Sequence, residues 1–441
     1  VGINWRLAPP EMAFILDDAE VKVVVVDAEF LGHLDAMDLQ LNPLIVAIGG
    51  EEPHINYSDW IAGQPDLDPG VQPDLDDTAV QVYTSGTTGH PKGAEISHRN
   101  LGASFWAYSS INGMTSQSVP LNVLPMFHIG GSSIAYMGLW LGCKNIVQRE
   151  LDPSDMLHAI PKYQVTHLMM VPAILQMFPS LPGVADTDFS SVELVNYGAS
   201  PISEEVLNTS MNLFGCPLLQ TYGLTEATGP VTHLPPEDHD PGSSRANLMR
   251  SAGKPLPGTE IRIVDTVGID MPEGEVGEIW TRSHQNMKGY WKNPEATAVA
   301  FPEGRNADGL GWMATGDAGS LEEGYLFIRD RVKDMIISGG ENIYPAEIEN
   351  ALMSHPSVAD VAVIGIPSNR WGESPLALIV LKDGEEPTTE DIIAFCAERL
   401  ARYKLPTAVE YIAEIPRNAS GKIQKVELRK PYWKDRERSI N

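Results

Sequence analysis

Cysteine is scarce. The 441 residues hold three, Cys143, Cys216 and Cys396, far apart and without a C-x-x-C pair. That spacing excludes a disulfide framework and a thiolate metal site, and it fits a reducing compartment, the cytoplasm. The 11 histidines are scattered without H-E-x-x-H or a comparable ligand pair, so structural zinc has no donor set. Basic residues are also in short supply: 31 Lys and Arg face 59 Asp and Glu, for a formal charge of −28 and a pI of about 4.7. Nucleic-acid binders present clustered positive charge, so that partner class is excluded. An anionic ligand must then be held by a few local cations and by backbone amides. Long apolar runs are missing as well. Ile129 to Cys143 is short for a bilayer span, and the opening "VGINWRLAPPEMAF" shows no basic segment leading into an apolar stretch, so neither a transmembrane segment nor a signal peptide is expected. The chain does not begin with methionine, and a preceding piece is expected to be missing from it.

What is present is a composition 43% hydrophobic, enough for more than one small domain. "PEMAFILDD" reads as a short amphipathic helix and "VKVVVVD" (21 to 27) as a buried strand, the alternation of an α/β layer architecture. "LVNYGAS" (194 to 200) and "CPLLQTYG" (216 to 223) are apolar runs ending in small or polar residues, and in parallel sheets such strand ends form the ligand crevice. Between Arg99 and Lys144 there is no Asp, Glu, Lys or Arg, in a protein that is 20% charged. This stretch is expected to be buried, as core and in part as the lining of an apolar pocket. From about Glu260 the texture turns β-like in "EIRIVD" and "GEVGEIWTR". After "GYLFIRDRVKD" the pattern restarts as the helix "PAEIENALMSH", the strands "VADVAVIGI" and "PLALIVLK", and the Thr-capped helix "TTEDIIAFCAERLAR". That is a compact α+β unit of about 110 residues, with its boundary near Asp330 to Lys333.

"YTSGTTGHPKG" (83 to 93) sets glycines, hydroxyl side chains and one lysine in a single loop. Converging backbone N–H groups with hydroxyl and ammonium donors suit a phosphate, although a Gly/Ser/Thr cluster alone also reads as a turn. The loop is not a Walker motif, because Lys92 is followed by glycine rather than Ser or Thr. Gly309-Leu-Gly311-Trp-Met-Ala314 approaches a dinucleotide fingerprint but lacks the flanking strand and helix. Further polar density lies in "QTYGLTEATG" (220 to 229), where Glu226 suits a divalent cation, and in "ATGDAG" (314 to 319), where Asp317 suits ribose hydroxyls. It continues in "DRVKDMIISGGENIYPAEIE" (330 to 349), with Arg331 and Lys333, and in "PRNASGKIQK" (416 to 425), with Lys422. Each taken alone is explained by a turn, a solvated charge or a helix cap.

In their order, "YTSGTTGHPKG", "TYGLTEA", "TGD", "DRVKDMIISGGENIYPAEIE" and "PRNASGK" resemble the motifs of the adenylate-forming superfamily, and within it the acyl-CoA synthetases, over essentially the whole chain. The resemblance implies an α/β fold: a large N-terminal AMP-binding domain of stacked α/β sheets over 1–329, incomplete at its start and with a β-rich subdomain over 247–329. A hinge over 330–333 and a small mobile α+β domain over 334–441 follow. It also implies an AMP-forming acid–thiol ligase of fatty-acid metabolism, in which a carboxylic acid and ATP give acyl-AMP and pyrophosphate, and coenzyme A then displaces AMP. The family carries a further segment ahead of its equivalent of "VGINWRLAPPE"; without it, apolar surface is exposed and a homodimer is one outcome.

Residue by residue, the resemblance assigns Thr84, Ser85, Gly86, Thr87, Thr88, Gly89 and Lys92 to the β and γ phosphates. It assigns Gly198, Ala199, Ser200, Gln220, Thr221, Tyr222, Gly223 and Thr225 to adenine and the α-phosphate. Asp317 and Arg331 are to hold the ribose, Glu226 with Thr88 the Mg2+, and Lys422 is to enter for adenylation. His128, with Ile129 and Gly130, falls at the acyl pocket, opposite a wall of Asn196, Tyr197 and Gly198. Lys333 falls at the hinge, with Gly339 and Gly340 presenting backbone to the pantetheine arm. The mix of aliphatic, aromatic and small residues over 101 to 143 favours an aliphatic acid. An aryl-CoA ligase, an acyl-AMP ligase serving a carrier protein, and a nucleotide-binding pseudoenzyme remain alternatives. A serine hydrolase is rejected, since the G-x-S triplets at Gly102, Gly131, Gly198 and Gly242 are never completed to G-x-S-x-G.

Overall fold

The computed structural model describes residues 1–50, 53–84, 91–198, 202, 204–339, 341–417 and 423–434, and the fold is given for these. A seven-stranded sheet forms the centre, in the order Lys254–Pro255, Gly229–Leu234, Leu218–Leu224, Leu194–Gly198, His167–Met170, Pro120–Asn122 and Ile146–Val147. From Leu218–Leu224 onward the pairings are parallel, while Gly229–Leu234 and Lys254–Pro255 add an antiparallel edge. Helices cover it because parallel strands need crossovers. One of them, Pro153–Tyr163, starts where the Asp152 side chain accepts from the Ser154 and Asp155 N–H groups and Pro153 takes the first turn. Its Met156 and Ile160 are fully buried against Leu168, Met170, Val195 and Leu218, and this is the main core.

Beside the central sheet stands the hairpin Thr78–Thr84 and Lys92–Ser97, with Gly289–Tyr290 as its third strand. A four-stranded antiparallel sheet, Glu260–Val264, Gly277–Arg282, Met313–Glu322 and Tyr325–Arg331, supplies the β-rich part expected from the sequence. A further sheet of Glu341–Ile343, Ile336–Ser338, Gly372–Leu381, Val358–Ser368 and Ala408–Tyr411 packs the helices Pro345–Met353 and Thr389–Ala397 around its own core. The fold is thus mixed helix and strand, with a large N-terminal and a small C-terminal domain. Thr388 caps the helix Thr389–Ala397 as expected, but the helix stops short of the Arg402 that the sequence pattern reached.

Two expectations about burial are corrected. The strand in "VKVVVVD" forms, as Val23–Asp27, but it is not buried: Val23 and Val25 are 41% and 49% exposed. It belongs to a three-stranded parallel sheet with Leu44–Ile48 and Ile55–Asn56, and a run of valines there must turn alternate side chains outward. The uncharged stretch is also only partly buried. Its helices His98–Asn112 and Ile129–Leu141 pack Phe105, Tyr108, Ile134 and Met137 inward, whereas Trp106, Leu139 and Trp140 are more than half exposed. A helix has an outer face whether or not it carries charge. Among the described residues, no helix is long and apolar enough to cross a membrane.

Ile160 is 0% exposed in the main core. Ile160→Ala is expected to lower the unfolding free energy by about 2–5 kcal/mol, read as a shift of the urea midpoint at constant slope.

Candidate active site

The crevice begins where Leu194–Gly198 and Leu218–Leu224 end side by side, with Gly198 opposite Thr221. A Cβ on Gly198 would lie 2.3 Å from the Thr221 carbonyl oxygen, so only glycine permits this approach. A Cβ on Gly223 would likewise lie 2.0 Å from the Gly229 carbonyl oxygen, at an irregularity between Tyr222 and Gly223 shortly before the 3-10 segment Thr225–Ala227. That segment presents Glu226. The Tyr290 hydroxyl donates to Glu226 Oε1 at 2.8 Å, and the Lys92 ammonium sits 5.4 Å from the centre of the Tyr290 ring. Burial, and then the charge of Glu226, raise the Tyr290 pKa, so the phenol remains a donor. Thr84 pairs with Lys92 at the mouth of the hairpin, so the two ends of the glycine-rich segment lie side by side. Ser85, Gly86, Thr87, Thr88 and Gly89 lie outside the described residues, as do Ala199 and Ser200.

A second phenol–carboxylate pair lies on the other side. Tyr222 donates to Asp317 Oδ2 at 2.6 Å, and Arg331, the register partner of Asp317, has Nε 3.9 Å from Oδ1. Burial, followed by the Asp317 charge, raises the Tyr222 pKa well above that of an ordinary phenol. Gln220 Oε1 is buried and has no hydrogen-bond partner among the described residues. Tyr222, Asp317 and Arg331 thus form one group of donors and acceptors, and Glu226, Tyr290 and Lys92 form a second.

At the expected acyl pocket, His128 stands at the N-terminal boundary of the helix Ile129–Leu141, its ring 4.6 Å from that of Phe127. Ile129 and Gly130 form the half-buried first turn. Asn196, 3% exposed, donates from Nδ2 to the Tyr108 hydroxyl and accepts from Thr221 Oγ1 at 3.3 Å. Asn196 and Tyr108 border a cavity of about 10 Å³, barely room for one water. Tyr197 departs from its expected place. Strand alternation turns its side chain into the main core, where its hydroxyl donates to His239 Nε2 at 2.9 Å while His239 Nδ1–H donates to the Pro235 carbonyl at 3.0 Å. A cavity of about 360 Å³ lies between Val80 and Val82 of the hairpin and Met126, Phe127, Ser132 and Tyr136, with Val1 to Ile3 along one side.

Lys333 lies in the 3-10 turn Val332–Asp334, where burial, then the nearby Arg331, push its ammonium down to about 8. Gly339 has φ +63°, and a Cβ there would lie 2.9 Å from Cε3 of Trp371. Its turn therefore demands glycine for its own sake. Gly340 and Lys422 lie outside the described residues. The sequence reading missed Tyr290, Tyr108, Trp371 and the charged group of Asp330, Glu349, Lys425 and Arg429. Only Tyr290, in "GYW", carried a local signal: an aromatic pair after a turn.

Residues 1–291 match the AMP-binding enzyme family, and residues 347–422 match the AMP-binding enzyme C-terminal domain. The chain belongs to this adenylate-forming family and is an AMP-forming acid–thiol ligase. It is 39% identical to a fatty acid–[acyl-carrier-protein] ligase of Streptomyces coeruleorubidus, over 100% of this chain and 83% of that protein. It is 36% identical to a long-chain-fatty-acid–CoA ligase of Mycobacterium tuberculosis, over 98% and 83% of the two chains. Among solved structures, the o-succinylbenzoate CoA synthetase of Bacillus subtilis, in complex with its acyl-adenylate intermediate, superposes with a TM-score of 0.81 at 31% identity, over 97% of this chain and 82% of that one.

Tyr222→Phe removes the donor to Asp317 and little else. It is expected to weaken AMP binding about 10-fold, the scale of one hydrogen bond to a charged group, as read by calorimetry. Unchanged affinity would separate this pair from the nucleotide.

Proposed function

We propose that the protein activates a fatty acid as acyl-AMP and transfers the acyl group to coenzyme A. The observation that carries this reading is that two groups, Lys92 with Tyr290 and Glu226, and Tyr222 with Asp317 and Arg331, are gathered where the strand Leu218–Leu224 ends, the place where such folds take ligands.

A carboxylate is a poor acyl donor until its oxygen joins a better leaving group, and adenylation supplies one. Charge is the obstacle, because an anion must approach a polyanion and the transition state gathers negative charge on bridging oxygens. Lys92, with the loop before it, grips the β and γ phosphates, and Lys422 brings a second ammonium to the reacting centre. Asp317 accepts from the ribose hydroxyls with Arg331 beside it, and the unpartnered Gln220 Oε1 suits a donor such as the adenine amino group. A single carboxylate, Glu226, fits Mg2+, which is usually held by one or two carboxylates plus substrate phosphates; no larger cluster of metal ligands occurs among the described residues. Glu226 and Thr88 would hold the ion, which would neutralise phosphate charge. Tyr290 leaves Glu226 Oε2 free of that hydrogen bond and fixes the carboxylate's orientation.

The acyl chain takes the cavity lined by Met126 and Phe127, the residues before His128, of about 360 Å³ and within the range of small-molecule sites, where Val80 and Val82 also favour an aliphatic acid. The thiol step needs a path that an inserted Lys422 blocks, so the small domain turns about Lys333. The half-exposed Trp371 indole lies over Gly339 with the Arg370 guanidinium 4.4 Å from its centre, a flat aromatic face and a cation suited to the nucleotide end of coenzyme A. Free thiols and the need for ATP and coenzyme A favour the cytoplasm. The 39% identity to a carrier-protein ligase favours one second reading, a phosphopantetheine thiol on a carrier protein as acceptor.

Pyrophosphate release is expected with fatty acids in a panel of fatty, branched and aromatic acids, with coenzyme A rather than carrier protein completing turnover. Release with aromatic acids alone would make it an aryl-CoA ligase, and ATP binding without release for any acid would make it a pseudoenzyme. Lys422→Ala is expected to slow acyl-AMP formation by ~10²–10³-fold while thioesterification of supplied acyl-AMP survives. Lys333→Pro is expected to spare one half-reaction and impair the other; equal losses in both would refute the pivot.

A further inference from the structure

A group of charged side chains outside the nucleotide crevice joins the last described helix to the turn at Lys333. The Lys425 ammonium is 2.8 Å from Glu349 Oε1 and 3.8 Å from Asp330 Oδ2, and the three side chains are 11%, 16% and 8% exposed. Asp330 also accepts from the Ala346 N–H at 2.9 Å, and Glu349 accepts from the Val363 N–H at 2.7 Å. One turn of helix further on, Arg429 pairs with Asp334 and donates to the Lys333 carbonyl at 3.4 Å. Asp330 precedes Lys333 in the chain, whereas Glu349, Lys425 and Arg429 follow it. The contacts of Asp330 to Ala346 and Lys425 therefore span the turn, and those of Lys425 to Glu349 do not.

The same lysine stands at the base of a loop. Arg417 and Ile423 form an isolated antiparallel bridge, and the Gln424 N–H donates to the Pro416 carbonyl at 2.9 Å, so the described chain on either side of residues 418–422 is tied together at one point. One side of that point is fixed by Arg417, whose Nη2 is 2.8 Å from both Asp360 oxygens. The other side is fixed by Lys425. The lysine side reaches across to Asp330.

We propose that Lys425 is a positioning residue of the adenylation step: paired with Glu349 on its own side of the turn and with Asp330 across it, it sets the base of loop 418–422, and so the Lys422 ammonium, relative to the nucleotide domain. This rests on the reading of Lys422 and Lys333 given above. A buried lysine between carboxylates is a poor device for stability alone, because an apolar group of similar shape often does as well once all partners are replaced. What the ion pair adds is direction. Burial works against the Lys425 ammonium, but Glu349, Asp330 and Asp334 outweigh it and hold its pKa above the ordinary lysine value. Burial likewise raises the Asp330 carboxyl, against the pull of Lys425. A rotation about Lys333 that parted the two would leave an anion buried without its cation.

The test uses the full chain and three variants, Lys425→Arg being the conservative one. Asp330→Asn removes only the pair across the turn, and Lys425→Met removes both pairs. Acyl-AMP formation is expected to fall ~10- to 100-fold in each, the scale of a small misplacement of a reacting group. Thioesterification of supplied acyl-AMP is expected to stay within about two-fold, and Lys425→Arg to restore adenylation. Hydrogen exchange of the apo protein, independent of any substrate, is expected to quicken in peptides covering 412–429 and 330–346 in Asp330→Asn and Lys425→Met but not in Lys425→Arg. Unchanged exchange overturns the coupling, as does equal loss of both half-reactions or full adenylation by Lys425→Met. Absence of pyrophosphate release from the unsubstituted protein would instead sink the ligase reading, and exchange would still decide the coupling.

Discussion

Bringing two anions together inside a chain of net charge −28 is the constraint on which the rest of the structure depends. The overall field of such a protein repels both reactants, so attraction must be local and short in range. Polar groups at close quarters supply it, in a crevice where neighbouring chains approach too tightly for side chains. The glycines at 198 and 223 serve that approach, each with a carbonyl oxygen where a Cβ would stand. Cations are few, and the described ones near the site, Lys92, Arg331 and Lys333, are set at its edges.

The carboxylates in this crevice are oriented chiefly by phenols. Tyr222 donates to Asp317, Tyr290 to Glu226, and Tyr83, directly before Thr84, to Asp18 at 2.5 Å. In each case burial is the largest influence on the phenol, raising its pKa, so the tyrosine stays protonated and cannot compete as an anion. A neutral donor fixes a carboxylate without cancelling its charge, which leaves the charge for a ligand's hydroxyl or for a metal ion. The Asp18 pair does something further: it ties the N-terminal helix Pro9–Asp18 to the strand that leads into the glycine loop, and the Trp291 indole N–H donates to the Asp18 carbonyl at 2.8 Å. The base of the loop is thus held from three parts of the chain.

Much of this was legible in the sequence because the motifs are local. "LVNYGAS", "TYGLTEA" and "DRVKD" each report a strand end or a turn that a few residues determine, and the strands and helices of the C-terminal unit were readable from their periods. What was illegible depends on partners far along the chain. Nothing near Tyr222 announces Asp317, nor does anything near Lys425 announce Glu349 and Asp330. Nothing near Tyr197 announces His239, the partner of its hydroxyl in the main core. "VKVVVVD" has the composition of a buried strand, yet burial is a property of the layers around it, and those are set by the whole fold. Absence of charge over residues 100 to 143 gave a tendency for the stretch and said nothing of which helical face points outward.

The most direct measurement is a crystal structure of the full chain grown with ATP and a fatty acid. The account requires the ribose hydroxyls within hydrogen-bond distance of Asp317 and the phosphates between Lys92 and Glu226. A nucleotide bound away from both carboxylates would contradict it.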